Sequence, residues 1–368
     1  MKKILVTGAT GFVGQHLCEK LLASHYSVRG LSRRGDPGPL PNLPSRAKIE
    51  WFKGDLTEAP TLLLACQGVD AVIHAGAMRP LRGTGGFEAH NVQGTKNLAD
   101  ALKHAITQPS GPALLIFISS LAAGGPTPER KPLRQETDSD SPTSTYGRSK
   151  LECERILERE LSTLPWISLR PPSVYGPGDD AMFSFYKLIS RGIMPVMVPR
   201  TPGLKSKSLS LIYVHDLTHQ ILQVLKTMDG GRSTPSADST LLAKPENFRN
   251  GTLARNVFYV TSQDSIPVPE LTRTIARAIG KRPHAIQITP FIVDALLQIA
   301  RIRKAFGFTR GWNSEKLLDL IPDRWCCSAA RFKETFGDPH PTPLEQGIQT
   351  TATWYVKSGW LKSPFNSL

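Results

Sequence analysis

Short apolar runs alternate with helix-patterned stretches along the first half of the chain. Ile4–Val6, Ser27–Leu31, Ala71–His74, Ala113–Ser119 and Trp166–Leu169 read as strands. Gln15–Ser24, Val92–His104 and Tyr146–Leu161 read as helices, the last rich in charge. Apolar runs without polar alternation belong to strands covered on both faces, and strands that alternate with helices pair in parallel. The expected fold class is α/β, a doubly wound parallel sheet. After about residue 176 the rhythm loosens. Ile212–Leu225 reads as a strand running into a helix, with Asp216 as its N-cap. Residues 229–256, rich in Gly, Ser, Thr, Asn and Pro, read as a surface insertion. Val268–Ile279 has the spacing of an amphipathic helix. Phe291–Ile302 is almost continuously apolar and turns basic at Arg301, Arg303 and Lys304. The layout predicted is a first domain over residues 1–175 and a smaller, interleaved C-terminal region over 176–368, with 207–228 returning to the first domain.

Composition narrows this picture. The 368 residues suffice for one large core or two smaller ones. The net charge of +14 admits nucleic acid, anionic membrane surfaces or anionic ligands as partners. The basic residues are scattered, with no zinc-finger spacing and no aromatic-rich RNA-binding signature, so no nucleic-acid partner is expected. Five cysteines, Cys18, Cys66, Cys153, Cys326 and Cys327, show no C-x-x-C spacing. That argues against a disulfide framework or a metal site and for a reducing compartment. The basic-apolar start Met1–Val6 is broken by Thr7-Gly8-Ala9-Thr10-Gly11, too early for an export signal. No apolar stretch is long enough to span a bilayer. The expected location is cytoplasmic, with at most peripheral membrane contact at the Phe291–Ile302 segment.

Thr7-Gly8-Ala9-Thr10-Gly11-Phe12-Val13-Gly14 sits between the first strand and the first helix. Glycines at Gly8, Gly11 and Gly14 permit a tight turn and close approach of a pyrophosphate to backbone N–H groups, at a helix N-terminus. This placement makes the first domain a Rossmann-type dinucleotide binder and the C-terminal region the substrate side. The second strand ends in Ser32-Arg33-Arg34, with no carboxylate before Asp36. An acid at that place would bind the ribose of NAD and repel a 2′-phosphate, whereas Ser32 and Arg33 suit the phosphate. NADP is therefore the expected cofactor, with NAD as the alternative. Asp55 can accept a hydrogen bond from the adenine amine.

Tyr146-Gly147-Arg148-Ser149-Lys150 places a phenol and an ammonium on one face of a helix. A phenol of pKa about 10 must drop by about 3 units, roughly 4 kcal/mol, to work near neutrality. One positive charge about 4 Å away at an effective dielectric of about 20 supplies that order of energy. Tyr146 can then give a proton to an alkoxide or take one from an alcohol. Ser119-Ser120 ends a buried strand, where doubly wound sheets hold ligands, and a hydroxyl there can orient a carbonyl. Asn91, at the start of a helix, also suits an N-cap.

As an ordered set these motifs resemble the extended short-chain dehydrogenase/reductase superfamily, the NAD-dependent epimerase/dehydratase family. The set comprises Thr7–Gly14, Gly54-Asp55-Leu56, His74-Ala75-Gly76-Ala77, Asn91-Val92-Gln93-Gly94-Thr95, Ser119-Ser120, Tyr146 to Lys150 and Arg170–Gly178. The resemblance implies a catalytic set of Ser120, Tyr146 and Lys150, with Asn91 supporting Lys150 through a bound water. It implies that Phe12, Val13, Asp55, Leu56, Ala75 and Gly76 line the dinucleotide and that Pro172 packs near the nicotinamide. Dehydratases of the family carry an acidic pair after the catalytic hydroxyl, where this chain has Leu121-Ala122. Epimerases usually carry Asn where Ser173 stands. The Pro171–Gly178 stretch is closer to 3β-hydroxysteroid dehydrogenases and dihydroflavonol reductases. The expected function is hydride transfer between NADP(H) and a carbonyl or secondary alcohol on a small, apolar substrate. The alternatives are a nucleotide-sugar epimerase with tightly held NAD and an NADP-binding regulatory protein without turnover. A homodimer is compatible with this reading.

Overall fold

The computed structural model describes residues 2–44, 47–78, 86–108, 110–229, 256–305 (backbone only for 301–305) and 318–362. Its centre is strand β1 (Lys3–Thr7), in the interior of a seven-stranded sheet. On one side of β1 lie β2 (Ser27–Ser32) and β3 (Glu50–Lys53). On the other lie β4 (Ala71–His74), β5 (Leu115–Ile118), β6 (Trp166–Arg170) and, at the edge, β10 (Val257–Tyr259). Every pairing in this sheet is parallel. Strand order reverses next to β1, the crevice where open α/β sheets hold ligands. This is the doubly wound Rossmann-type sheet expected from the sequence.

The period of two along the strands sorts apolar side chains between two cores. Ile4 and Val6, with Ile116 and Ile118, face helices α1 (Phe12–Ala23) and α7 (Val214–Asp229) through Leu17, Leu21, Ile221 and Leu225. Leu5, Leu115 and Phe117 face the opposite side. There they meet α2 (Ala59–Cys66), α3 (Gly94–Ala105) and α5 (Thr145–Glu160) through Leu62, Leu98, Leu102 and Ile156. A four-residue helix, α4 (Leu121–Gly124), follows β5 directly.

The C-terminal half adds a second layer. Strand β9 (Ser208–Tyr213) pairs in parallel with β7 (Ser173–Tyr175) and β13 (Arg324–Trp325), and antiparallel with β11 (Gln263–Pro267). A separate parallel pair joins β8 (Ile193–Met197) to β12 (His284–Ile288). Helices α6 (Phe183–Ser190), α8 (Val268–Ala278) and α11 (Leu344–Lys357) close a third core around Tyr175, Tyr186, Ile275, Ile348 and Tyr355. The remaining helices are α9 (Pro290–Ala305) and α10 (Ala330–Phe336). Strand β9 thus belongs to the second layer, while α7, which follows it, packs on the first.

Several sequence expectations shift. Helix α1 starts at Phe12 instead of Gln15, because the turn ends at Gly11. Strand β3 and helix α2 occupy a stretch in which the sequence predicted neither. Asp216 is not an N-cap, since α7 begins at Val214. Its carboxylate instead accepts the Thr342 N–H (3.0 Å) and hydroxyl (2.6 Å) and the Ser262 hydroxyl. Of the 229–256 insertion, residues 230–255 lie outside the described residues. All five cysteines are buried and unbridged.

Candidate active site

The glycine turn comes first. Gly11 caps α1 without a side chain, so no side-chain acceptor takes the first-turn N–H groups. Uncapped N–H groups at a helix N-terminus are a ready anion site. Gly14 backs onto the Gly8 carbonyl, where a Cβ would sit 2.0 Å from the oxygen. The tight turn therefore requires glycine there. Behind it, the Gly76 N–H donates to Thr7 Oγ1 at 3.1 Å, and that hydroxyl meets His74 Nδ1 at 2.6 Å. On its other side, His74 Nε2 pairs with Thr95 Oγ1 at 3.2 Å. Burial, aided by the Lys150 charge, pushes the His74 pKa down to about 3, so the ring is neutral. Ala75, Gly76 and Leu56 lie on this same side of the turn: the Ala75 N–H donates to Thr7 O, and a Cβ on Gly76 would meet Leu56.

At the far end of the crevice, Ser32 is buried and its hydroxyl accepts the Arg34 N–H at 3.3 Å. Arg33 is exposed, with Nε 4.0 Å from Asp55 Oδ2. Burial raises the Asp55 pKa, but the Thr57 N–H and hydroxyl and the Arg33 charge outweigh it and hold the carboxyl below its ordinary value. The two residues read from sequence as contacts to opposite parts of an adenosine phosphate thus lie side by side.

The chemical end forms where β5, α4 and α5 meet. Ser120 caps α4, its Oγ accepting the Ala122 N–H at 3.1 Å, which leaves the hydroxyl proton free to donate. The hydroxyl of its neighbour Ser119 is buried with no hydrogen-bond partner among the described residues. Ser144 caps α5 through the Gly147 N–H at 3.1 Å. Gly147 permits α5 to touch α4, since a Cβ there would lie 2.3 Å from Ala122 O. The glycine inside the Tyr-x-x-x-Lys stretch therefore brings Tyr146 up to the Ser120 turn. The Tyr146 ring lies 6.0 Å from that of Phe87.

Lys150, one turn later, is buried. Its Nζ donates to Ile118 O at 2.7 Å and stands 4.5 Å over the Phe117 ring. Burial pushes its pKa down to about 8, against the pull of Cys153 and Glu154. Asn91 is not a helix N-cap. It lies in a wide turn, Phe87–Gln93, that precedes α3. Its Oδ1 accepts the Met78 N–H at 2.8 Å, and its Nδ2 donates to Ser149 Oγ at 3.1 Å. Asn91 thus clamps α5 at the residue before Lys150. Pro172 is buried just past β6, beside Pro171, whose carbonyl takes the Leu121 N–H.

A model of the NAD-dependent epimerase/dehydratase family matches residues 4–236. The chain belongs to that family. It is 25% identical to a ceramide reductase of Caulobacter vibrioides over 97% of this chain and 96% of that protein. It is 26% identical to a Mycobacterium tuberculosis 3β-hydroxysteroid dehydrogenase/Δ5→4-isomerase, over 83% of this chain and 77% of that protein. The Bacillus cereus UDP-glucuronic acid 4-epimerase, solved with NAD, shares the fold with a TM-score of 0.67 and 20% identity, covering 96% of each chain. The family assignment accounts for the glycine turn and for the Tyr-x-x-x-Lys helix.

Within this family member, one group of residues escaped the sequence reading. Arg170, at the end of β6, is buried and spends all five N–H donors. Two go to Asp140, two to Glu154 and one to the Tyr259 hydroxyl. Glu154 stands one turn after Lys150 on α5 and also accepts the Ser168 hydroxyl at 2.8 Å. This cluster ties α5 to the sheet. A Lys-x-x-x-Glu pair beside an arginine-ending apolar strand was the available signal.

Proposed function

We propose that the protein is an NADP(H)-dependent oxidoreductase acting on a carbonyl or secondary alcohol, with Tyr146 as its general acid and base. The observation that carries this reading is the anchoring of Lys150. Its ammonium is fixed on Ile118 O at the carboxyl end of β5, one helical turn from Tyr146 and next to the strand end that bears Ser120. A charge so held lowers the pKa of a neighbouring phenol and gains from the low surrounding dielectric. Ser120, with a hydroxyl proton to donate, orients the substrate oxygen. Asn91 fixes the helix that carries both.

The cofactor supplies or accepts the hydride when bound. The turn of Gly8, Gly11 and Gly14, with the N–H groups of Phe12 and Val13, fits its pyrophosphate. Asp55 and Leu56 suit the adenine, and Ala75, Gly76 and Pro172 the nicotinamide half. Arg33, exposed and next to Ser32, supports NADP over NAD through a charge-assisted contact to the 2′-phosphate. Leu121 and Ala122 after Ser120 give no carboxylate for dehydration chemistry. Nucleotide-sugar epimerisation is a second reading, favoured by the family model, because the same acid–base pair serves it.

The two part in a direct assay. The purified protein is given NADPH with a panel of apolar ketones, and separately UDP-sugars without added cofactor. NADPH consumption on ketones is expected. Interconversion of UDP-sugars alone would restore the epimerase. Arg33→Ala should abolish most of a preference for NADP(H) worth about 1.5–3 kcal/mol, or roughly ten- to a hundredfold in Kd. Equal wild-type affinities for NADP and NAD would remove the cofactor assignment.

A further inference from the structure

Helix α9 inverts the usual rule for a surface helix. Val293, Leu297 and Ala300 form its buried stripe, and Leu318 and Ile321 pack against Leu297 and Ala300. The opposite stripe is also apolar. Phe291 is 79% exposed, Ile299 54% and Ile292 40%. At 100° per residue, positions 291, 292, 295, 299 and 302 share one face, and the sequence fills all five with Phe, Ile or Ala. Ile286, on the strand that leads into the helix, is exposed as well. This is a contiguous apolar strip on the flank of the C-terminal layer, and such strips mark interaction surfaces.

The charge around the strip identifies the occupant. The one acid of α9, Asp294, is paired to Arg200 at 2.5 Å. The last turn of the helix carries Arg301, Arg303 and Lys304, whose side chains lie outside the described residues. An apolar strip on a helix whose sequence ends in Arg301, Arg303 and Lys304, in a chain of net charge +14, is complementary to an anionic bilayer surface. It is poorly matched to a second copy of a chain whose net charge is +14. The helix has 16 residues, and no helix among the described residues is long and apolar enough to cross a membrane. A helix of this kind lies in the interface plane.

We propose that α9 docks the protein on anionic membrane, with Phe291, Ile292 and Ile299 inserted among the acyl chains and the basic residues on the headgroups. The inference is independent of the reaction catalysed, and its test reads binding alone.

The full-length protein is pelleted with sucrose-loaded vesicles of phosphatidylcholine, with or without phosphatidylglycerol. Wild-type protein should sediment with the anionic vesicles, and less so as salt is raised. A Phe291→Ser, Ile299→Ser double variant should partition at least about tenfold less, with an unchanged Tm. Ile292→Gln serves as a second variant should the double one lose its fold. Wild-type protein that stays in the supernatant with both vesicle types would overturn the proposal. So would variants that sediment like wild type, since net charge alone would then explain binding. Sedimentation velocity without vesicles adds a further outcome: a wild-type dimer that the variants convert to monomer would show that a second copy covers the face.

Discussion

Helices α5 and α9 are both 16 residues long, and each contradicts its own composition. α5 is the charged one, yet it buries Lys150 and Glu154. α9 is the apolar one, yet it exposes Phe291 and Ile299. Burying a charge costs several kcal/mol unless it is paired and hydrogen-bonded. In α5, Glu154 meets that condition with Arg170 and Ser168, and Lys150 is compensated in part by Ile118 O and the face of the Phe117 ring. In α9 no comparable compensation exists within the described residues. The outward apolar strip lowers no free energy in the isolated chain. Where a helix departs from binary patterning with internal compensation, the departure builds a site. Where it departs without, the departure marks a surface for the membrane contact proposed above.

The sharpest way to break this comparison is to remove the compensation in α5. Arg170→Met leaves Glu154 buried without its cation, which should cost about 3–5 kcal/mol of folding stability. Urea unfolding monitored by tryptophan fluorescence measures it. A loss below about 1 kcal/mol would show that the cluster is not what holds α5. Next in size, Tyr146→Phe should lower kcat by about 10²-fold or more, roughly 2.7 kcal/mol, with cofactor binding nearly intact. Cofactor titration beside single-turnover rates separates the two effects, and a variant keeping over about a tenth of wild-type kcat would exclude Tyr146 as the acid–base.

Acid provides a smaller, graded probe of the buried polar side. Burial holds His74 neutral down to about 3 and His16 down to about 4. In the unfolded chain both take up protons near 6.5. Between about pH 6.5 and 4 the unfolded state therefore binds more protons, and stability falls as pH falls. Each group contributes a slope approaching about 1.4 kcal/mol per pH unit. His74→Gln should flatten the profile in that window. A wild-type stability unchanged from pH 7 to 5 would mean that these rings are charged in the fold. The smallest effect is expected in α9. Phe291→Ser with Ile299→Ser should change stability in solution by no more than about 0.5 kcal/mol. A larger loss would place the strip in a core and end the contrast with α5.

Much of the α5 side was legible in the sequence, because its signals are local. The glycine turn follows a strand within a few residues, and Tyr146 and Lys150 are one helical turn apart. Strands β1, β2, β4 and β6 matched to within a residue or two for the same reason: each is a short, largely apolar run between helix-patterned stretches. The rest depended on distance or on weak patterns. β3 is a four-residue strand with a charge at each end, and β13 has two residues. Asp216 looked like a cap because its ligands Ser262 and Thr342 are 46 and 126 positions away. The Arg170 cluster joins residues 16, 30 and 89 positions apart. The apolar run over Phe291–Ile302 was visible, but which side of it faces solvent is fixed only by tertiary packing.

Strand β10 also orders events in time. It pairs with β6 and brings Tyr259 to Arg170, 89 positions upstream. A chain emerging from the ribosome, amino end first, therefore shows β6 as an open edge for on the order of ten seconds at ordinary elongation rates. An exposed, mostly apolar edge of that kind is where nascent chains pair with the wrong neighbour. Nascent chains stalled before residue 257 should recruit chaperones more strongly than those that have passed it, and the Arg170 cluster that holds α5 is completed only when the second half of the protein has been made.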